Sequence, residues 1–452
     1  MTSEHNETTT HTDERVSSPK LERSLGPMMI WGLGVGYVIS GEYFGWNLGL
    51  EHGGPYGMLA ATGIVTLMYL CFTLSYAELA CALPGAGGAY VYGREAHGER
   101  FGLVVGLAQI IEFVFAPPAI AFAIGSYLQS YWPQVPVLLI AMGAYVIFTG
   151  LNIWGVKLSA MFELVITIFA VTELLIFAGV TLPSFEWIQF SHNPLPNGWM
   201  GVFPALPFAI WFYLALEGVA NIAEEAKNPQ RDISRGFIYS LLTLVALALL
   251  VFFSAIGVGG WEAIVYTDAA HTQTSDKPLL LAITQVVGDA NIFYHLLVTI
   301  GLFGLIASFH GIILIAGRAV LEFGRVGYLP RVLGRVHPQR KTPMNALLVN
   351  MLVGFGALLT GRTDEIITLA VFGALTLYAL SMLSLFKLRV AQPDLERPYR
   401  APLYPVFPLI ALILAVICLT AVTYYNQMIA FIFVGFMVAG VALGTFYRRI
   451  QR

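Results

Sequence analysis

The sequence predicts an all-α membrane protein crossing the bilayer twelve times. Three observations predict it. Windows of about 20 predominantly apolar residues recur along the chain, the length a helix needs to cross the hydrocarbon core. Of the 452 residues 57% are hydrophobic and only 11% are charged, whereas soluble chains carry about 25% charged residues. Mean hydropathy is +0.73. The short alternating segments of a membrane β-barrel, about ten residues each, are absent.

The spans read from the pattern are 27–50, 56–82, 101–131, 134–154, 157–182, 200–225, 234–259, 289–318, 343–361, 364–388, 402–424 and 427–447. Residues 1–24 are polar and rich in Thr and Ser, with no apolar run, so they read as a disordered cytoplasmic tail rather than a signal peptide. With that tail in the cytoplasm, every Lys and Arg except Lys277 and Arg362 falls on the cytoplasmic side. The asymmetry obeys the positive-inside rule and puts residues 448–452 in the cytoplasm as well. Cys71, Cys81 and Cys418 all lie in apolar segments, as small buried side chains rather than a disulfide framework.

Two spans are interrupted. The first carries Ser40-Gly41-Glu42, and the sixth has Pro204 and Pro207 early and Glu217-Gly218 at its middle. Each would open a five-helix half, 25–182 and 200–388, with 402–447 as two additional helices. Paired Gly/Pro-interrupted segments in two halves mark a transporter site at the bilayer midplane. A broken helix leaves backbone groups unpaired, which hydrocarbon tolerates only where they line a cavity or meet a ligand. Helix N-termini there favour anions and C-termini favour cations.

An intramembrane carboxylate is costly, and its default reading is functional. Facing the cavity, Glu42 would repel the carboxylate of an amino acid and attract a simple amine; otherwise it is a structural anchor. Glu217, in the matching break, reads equally well as a proton carrier, a gate bonding across helices or a lock on the unwound segment. Glu112 precedes Pro117-Pro118 and is a weaker candidate for the same cavity; Glu163 and Glu173 are weaker again. Tyr43, Phe44, Trp46, Trp211, Phe212 and Tyr213 surround the breaks, and aromatic faces attract cations; Trp211 and Tyr213 are the best placed. Ser308 and His310 would add polar contacts, although a lone His among apolar residues is more often a helix–helix bond. Gly41, Gly45 and Gly49 form a close-packing face. No phosphate loop, nucleophile–base set or metal-ligand cluster is visible, so no enzyme, cofactor or nucleic-acid partner is expected.

Four stretches carry a family resemblance: Ser40 to Phe44, the segment 75–102 (SYAELACALPGAGGAYVYGREAHGERFG), Trp211 to Glu217 with 223–236, and 324–343. The chain resembles the amino acid–polyamine–organocation (APC) superfamily of secondary transporters. The resemblance implies a LeuT-like fold of two inverted five-helix repeats plus two helices. SGEYFGWN, the stretch 207–236 and SFHG are most similar to its ethanolamine permease group. It implies backbone-rich substrate contacts at Ser40 and Gly41, an aromatic gate at Trp211 and proton-linked gating at Glu217. Family amino-acid carriers usually have a small or apolar residue at Glu42 and Gly at Ala215. Some carry a lysine in the fifth span, where Ala170 stands, in place of a sodium ion. The expectation is a permease importing a small amine, most simply ethanolamine, across the inner membrane. Its substrate contacts would come from Ser40, Gly41, Glu42, Tyr43, Phe44, Glu112, Trp211, Tyr213, Ala215 and Ser308. An amino-acid or polyamine carrier is the alternative, and a channel or membrane solute sensor is one from another class. The coupling ion, proton or sodium, and the oligomeric state stay open.

Overall fold

A computed structural model describes residues 25–451 apart from Ala86, Gly155, Ala269 and Ala290; the expected N-terminal tail lies outside the described residues. The helices are α1 (Pro27–Val38), α2 (Ser40–Tyr43), α3 (Leu50–Ala82), α4 (Ala89–His97), α5 (Glu99–Gln129), α6 (Val137–Trp154), α7 (Val156–Thr181), α8 (Trp187–Phe190), α9 (Val202–Trp211), α10 (Pro229–Ile256), α11 (Glu262–Val265), α12 (Pro278–Val287), α13 (Ile292–Arg325), α14 (Met344–Leu358), α15 (Thr363–Ala391), α16 (Val406–Tyr425) and α17 (Gln427–Gln451). Short 3₁₀ segments include Trp46–Gly49 and Leu216–Glu225.

Ten helices among the described residues are long and apolar enough to cross a membrane, and Pro27–Val38, Pro278–Val287 and Met344–Leu358 are shorter apolar helices. Several elements depart from the sequence reading, α8 within the 183–199 connection among them. The segment after α3 folds as α4, where a loop was expected. The 260–288 connection contains α11 and α12. The last helix continues past 447 to Gln451. Each is too short or too polar to register in a 20-residue apolar window.

The centre is built from α1, α3, α5, α9, α10, α13 and α15: α5 packs on α15 and α13, α3 on α9, and α1 on α10, α7 and α13. Those central faces are closed by small residues; at Gly373, for example, a Cβ would stand 2.6 Å from the Ala108 carbonyl. The periphery is the reverse of a soluble surface. Trp154, Phe431 and Met428 are 78%, 76% and 72% exposed, as suits side chains that meet lipid tails. At one end of α3, Glu78 ties three elements together. It accepts from Arg389 Nη2 and from the Ala401 backbone N–H, both at 2.7 Å, and pairs with Arg397 Nε at 3.2 Å.

Candidate functional site at two facing helix breaks

The helix running from Pro27 stops at Val38 and resumes, after a further turn at α2, in the 3₁₀ segment Trp46–Gly49. Gly45 explains the reversal. Its φ is +89°, and a Cβ there would stand 2.5 Å from the Trp211 indole, so only glycine fits both the backbone and the space. The break is mended from α13. Ser308 Oγ accepts from the Ser40 N–H at 2.8 Å and donates to the Gly36 carbonyl at 2.7 Å. One hydroxyl thus satisfies a donor and an acceptor that the interrupted helix leaves over. Beyond the break, Asn47 accepts from the Gly45 N–H and donates to the Ser275 carbonyl.

The second break faces the first. α9 ends at Trp211, and a 3₁₀ segment begins at Leu216. Between them Ala215 takes φ +74°, ψ 8°, the left-handed region. There an L side chain costs about 1–2 kcal/mol. Ala215→Gly should therefore raise the unfolding midpoint in a detergent titration, by about 0.5–1 kcal/mol after the extra backbone entropy of glycine in the unfolded chain. The two breaks touch through main chain: a Cβ at Gly41 would lie 2.3 Å from the Trp211 carbonyl oxygen.

Carboxyl groups gather around this contact. Glu42 is fully buried, and neither of its carboxylate oxygens has a hydrogen-bond partner in the structure. The Tyr43 and Tyr213 phenols are close enough to feel its charge. Glu112 of α5 is also fully buried; its carboxyl lies beside the Glu217 carboxyl and the Ala215 amide. Two ionised carboxylates have only acceptors to offer one another, so a proton or a cation between them is what would satisfy both. Glu217 Oε2 accepts from Tyr378 at 2.9 Å, and the Tyr378 and Tyr69 hydroxyls are 2.8 Å apart. The Tyr69 ring lies 5.1 Å from that of Tyr213. Glu112, Glu217, Tyr378 and Tyr69 therefore form one connected polar centre inside an apolar bundle, with Tyr213 against it. Such a centre is equipped to hold a small cation or zwitterion by ionic and hydrogen bonds.

The sequence family described as amino acid permease matches residues 25–443. The chain belongs to the amino acid permease family. An uncharacterised transporter of Rhizobium meliloti is 30% identical, over 89% of this chain and 86% of its own. The branched-chain amino acid permease BcaP of Bacillus subtilis is 29% identical over 87% and 86%, and the methylthioribose transporter of the same organism is 25% identical over 89% and 88%. This permease is thus a multi-pass membrane transporter and not an enzyme.

Within the permease, most of the residues singled out from sequence converge, but with different duties. Ser40, Gly41, Glu42, Trp211, Tyr213, Ala215, Glu112 and Glu217 lie at or beside the two breaks. Trp211 Nε1 is buried with no partner, and its ring meets Phe44 edge-on at 5.6 Å. The Tyr213 hydroxyl bonds to Thr66 at 2.8 Å. Tyr43 points toward α7, donating to the Ala170 carbonyl at 3.0 Å and to Glu173. Ala170, at the position of the family lysine, therefore contributes its backbone. Ser308 spends its hydroxyl on the α1 break. Phe212 stacks on Trp46 at 5.7 Å. Tyr69 and Tyr378 escaped the sequence reading; each sits in an apolar span where a phenol looks like packing. Their one signal was a hydroxyl at a depth where hydroxyls need partners. The bond between His310 and Glu163 was also unforeseen as a pair.

Proposed function

We propose that this permease imports a small organic amine, ethanolamine or a close relative, across the cytoplasmic membrane by alternating access. The observation that carries the proposal is Glu42: a fully buried carboxylate with both oxygens unpartnered. A buried charge without a partner is strongly destabilising, and a partner charge with good hydrogen bonds offsets the cost. An ammonium group supplies both, since it brings three donors. Trp211, Phe44 and Tyr213 then supply aromatic faces around the cation, and main chain at the breaks is suited to bond a hydroxyl.

In this reading the chain crosses twelve times, with both termini in the cytoplasm. Residues 25–182 and 200–388 form inverted five-helix repeats, and 402–447 adds two helices. The face opposite the basic loops would carry Glu51, Glu186, Glu262, Asp268, Asp276, Asp289, Asp364 and Glu365 against Lys277 and Arg362. A surface of that sign concentrates cations at the entrance.

A second reading, amino-acid transport, is supported by the likeness to the branched-chain amino acid permease BcaP and by membership of the amino acid permease family. It requires Glu42 to be neutral or bonded when a substrate carboxylate arrives. A diamine is the related case in which Glu112 and Glu217 meet a second ammonium. A thermal-shift panel on purified protein separates the three. Ethanolamine, choline, putrescine, alanine, arginine and leucine are compared at matched concentration and pH. A ligand that binds only the folded state stabilises by RT ln(1 + [L]/Kd), about 2.7 kcal/mol at 100 times Kd. Ethanolamine alone should raise the midpoint. A larger shift with leucine or alanine establishes the amino-acid reading, and one with putrescine the diamine reading.

A further inference from the structure

Glu163 of α7 and His310 of α13 form a pair away from the acids just described. His310 Nδ1 lies 3.1 Å from Glu163 Oε2, and the two side chains are 3% and 1% exposed. The pair rests on the broken first helix. A Cβ at Gly36 would meet Glu163 Oε1 at 2.7 Å, and one at Gly311 would meet the same oxygen at 3.0 Å. The absence of side chains at both positions makes the space that the carboxylate occupies.

Gly36 is also the residue whose carbonyl receives Ser308, two residues before His310 on α13. The backbone carbonyl of His310 is held as well, by Asn152 Nδ2 at 3.1 Å, and Thr167 of α7 donates to the Gly32 carbonyl at 3.2 Å. Among the described residues, the other ionisable groups facing this place include Tyr37 of α1 and, beyond it, the ion pair Arg318–Glu225, at 2.7 Å. Tyr37 is wedged against Gly311 and Gly218. Whatever changes the charge or position of Glu163 is therefore felt by Gly36, by the Ser308 clip and by both ends of the α1 break.

We propose that the Glu163–His310 pair is a proton-binding site that sets the conformation of the first-helix break and so couples a proton to the transport cycle. Imidazole is the side chain whose charge changes within the physiological pH range. Adding one proton changes the net charge of a buried pair by one, in surroundings where charges act strongly on their neighbours. The proton is taken from water when the site opens to one side and returned to water when it opens to the other. No other bond forms or breaks. The proposal rests on the chain being a transporter and is independent of which solute it carries.

The test uses the full-length protein in lipid nanodiscs with no added solute, so its outcome is separable from that of the ligand panel. Hydrogen exchange of residues 32–44 is followed between pH 5.5 and 8 and corrected for the intrinsic pH dependence of exchange. In the wild type, protection should change about fivefold or more across that range, as a local opening tied to one protonation does. In Glu163→Gln the change should fall below about twofold. If that variant does not fold, His310→Gln, which keeps an amide donor toward Glu163, gives the same comparison. A wild-type protection that is flat with pH overturns the proposal. So does a variant that loses protection equally at every pH, because that is the behaviour of a structural bond.

Discussion

Glu42→Gln should reduce ethanolamine affinity by about 100-fold or more while leaving the ligand-free protein as stable as before, or more stable. In the empty protein the Glu42 carboxyl is buried and both its oxygens lack partners, so an amide of the same shape gives up no hydrogen bond there. In the proposed complex the same carboxylate is the counter-charge of the ammonium, and removing one member of a buried pair costs about 3–5 kcal/mol, which corresponds to about 10²–10⁴ in affinity. The measurement is a titration of the unfolding midpoint with ethanolamine for both proteins. Unchanged affinity would remove Glu42 from the binding site. Unchanged affinity with a lower ligand-free midpoint would make it a structural anchor.

Arg318→Met should cost about 3–5 kcal/mol of stability, the usual loss when one member of a buried ion pair is removed. Arg318 and Glu225 are each 6% exposed and meet at 2.7 Å. They join α13 to the 3₁₀ segment that follows the second break. Beside them the Leu25 N–H donates to the Glu225 carbonyl and the Lys227 N–H donates to the Leu25 carbonyl, both at 2.9 Å. The start of the first helix and the exit of the second break are thus closed over one another at this end. The double variant Arg318→Met with Glu225→Gln should recover much of the loss, because both members of the pair are then neutral. Equal losses in the single and double variants would show that the ion pair is not what holds this end shut.

Much of this architecture is legible in the sequence because bilayer length and hydrocarbon chemistry act locally. A 20-residue apolar run is its own evidence, and Ser40-Gly41-Glu42 and Glu217-Gly218 announce their breaks by residue type alone. What escaped depends on distant pairing. Ser308 reads as a polar contact for a substrate, yet its partners are Gly36 and Ser40, 272 and 268 residues away in the chain. Glu163 and His310 each look weak alone, and their meaning lies in a bond across 147 residues. The Tyr69–Tyr378–Glu217 chain has the same character, with steps of 309 and 161 residues. Ala215 was read as a substrate contact and as a departure from the family's glycine; the positive φ gives that departure its physical content. The short helices α4, α11 and α12 fall below the resolution of a hydropathy window.

The clip that Ser308 makes across the first break has a bearing on evolvability. Main chain is held on both sides of residue 42, by the hydroxyl bridge from Gly36 to Ser40 and by the contact of Gly41 with the Trp211 carbonyl. The side chain at 42 therefore has no share in maintaining the loop that carries it. In the proposed reading a lineage can exchange that one residue, and with it the charge of the cargo accepted, without having to reinvent the scaffold. Relatives named for cargoes as different as branched-chain amino acids and methylthioribose are what such a separation of duties would let one ancestral frame produce.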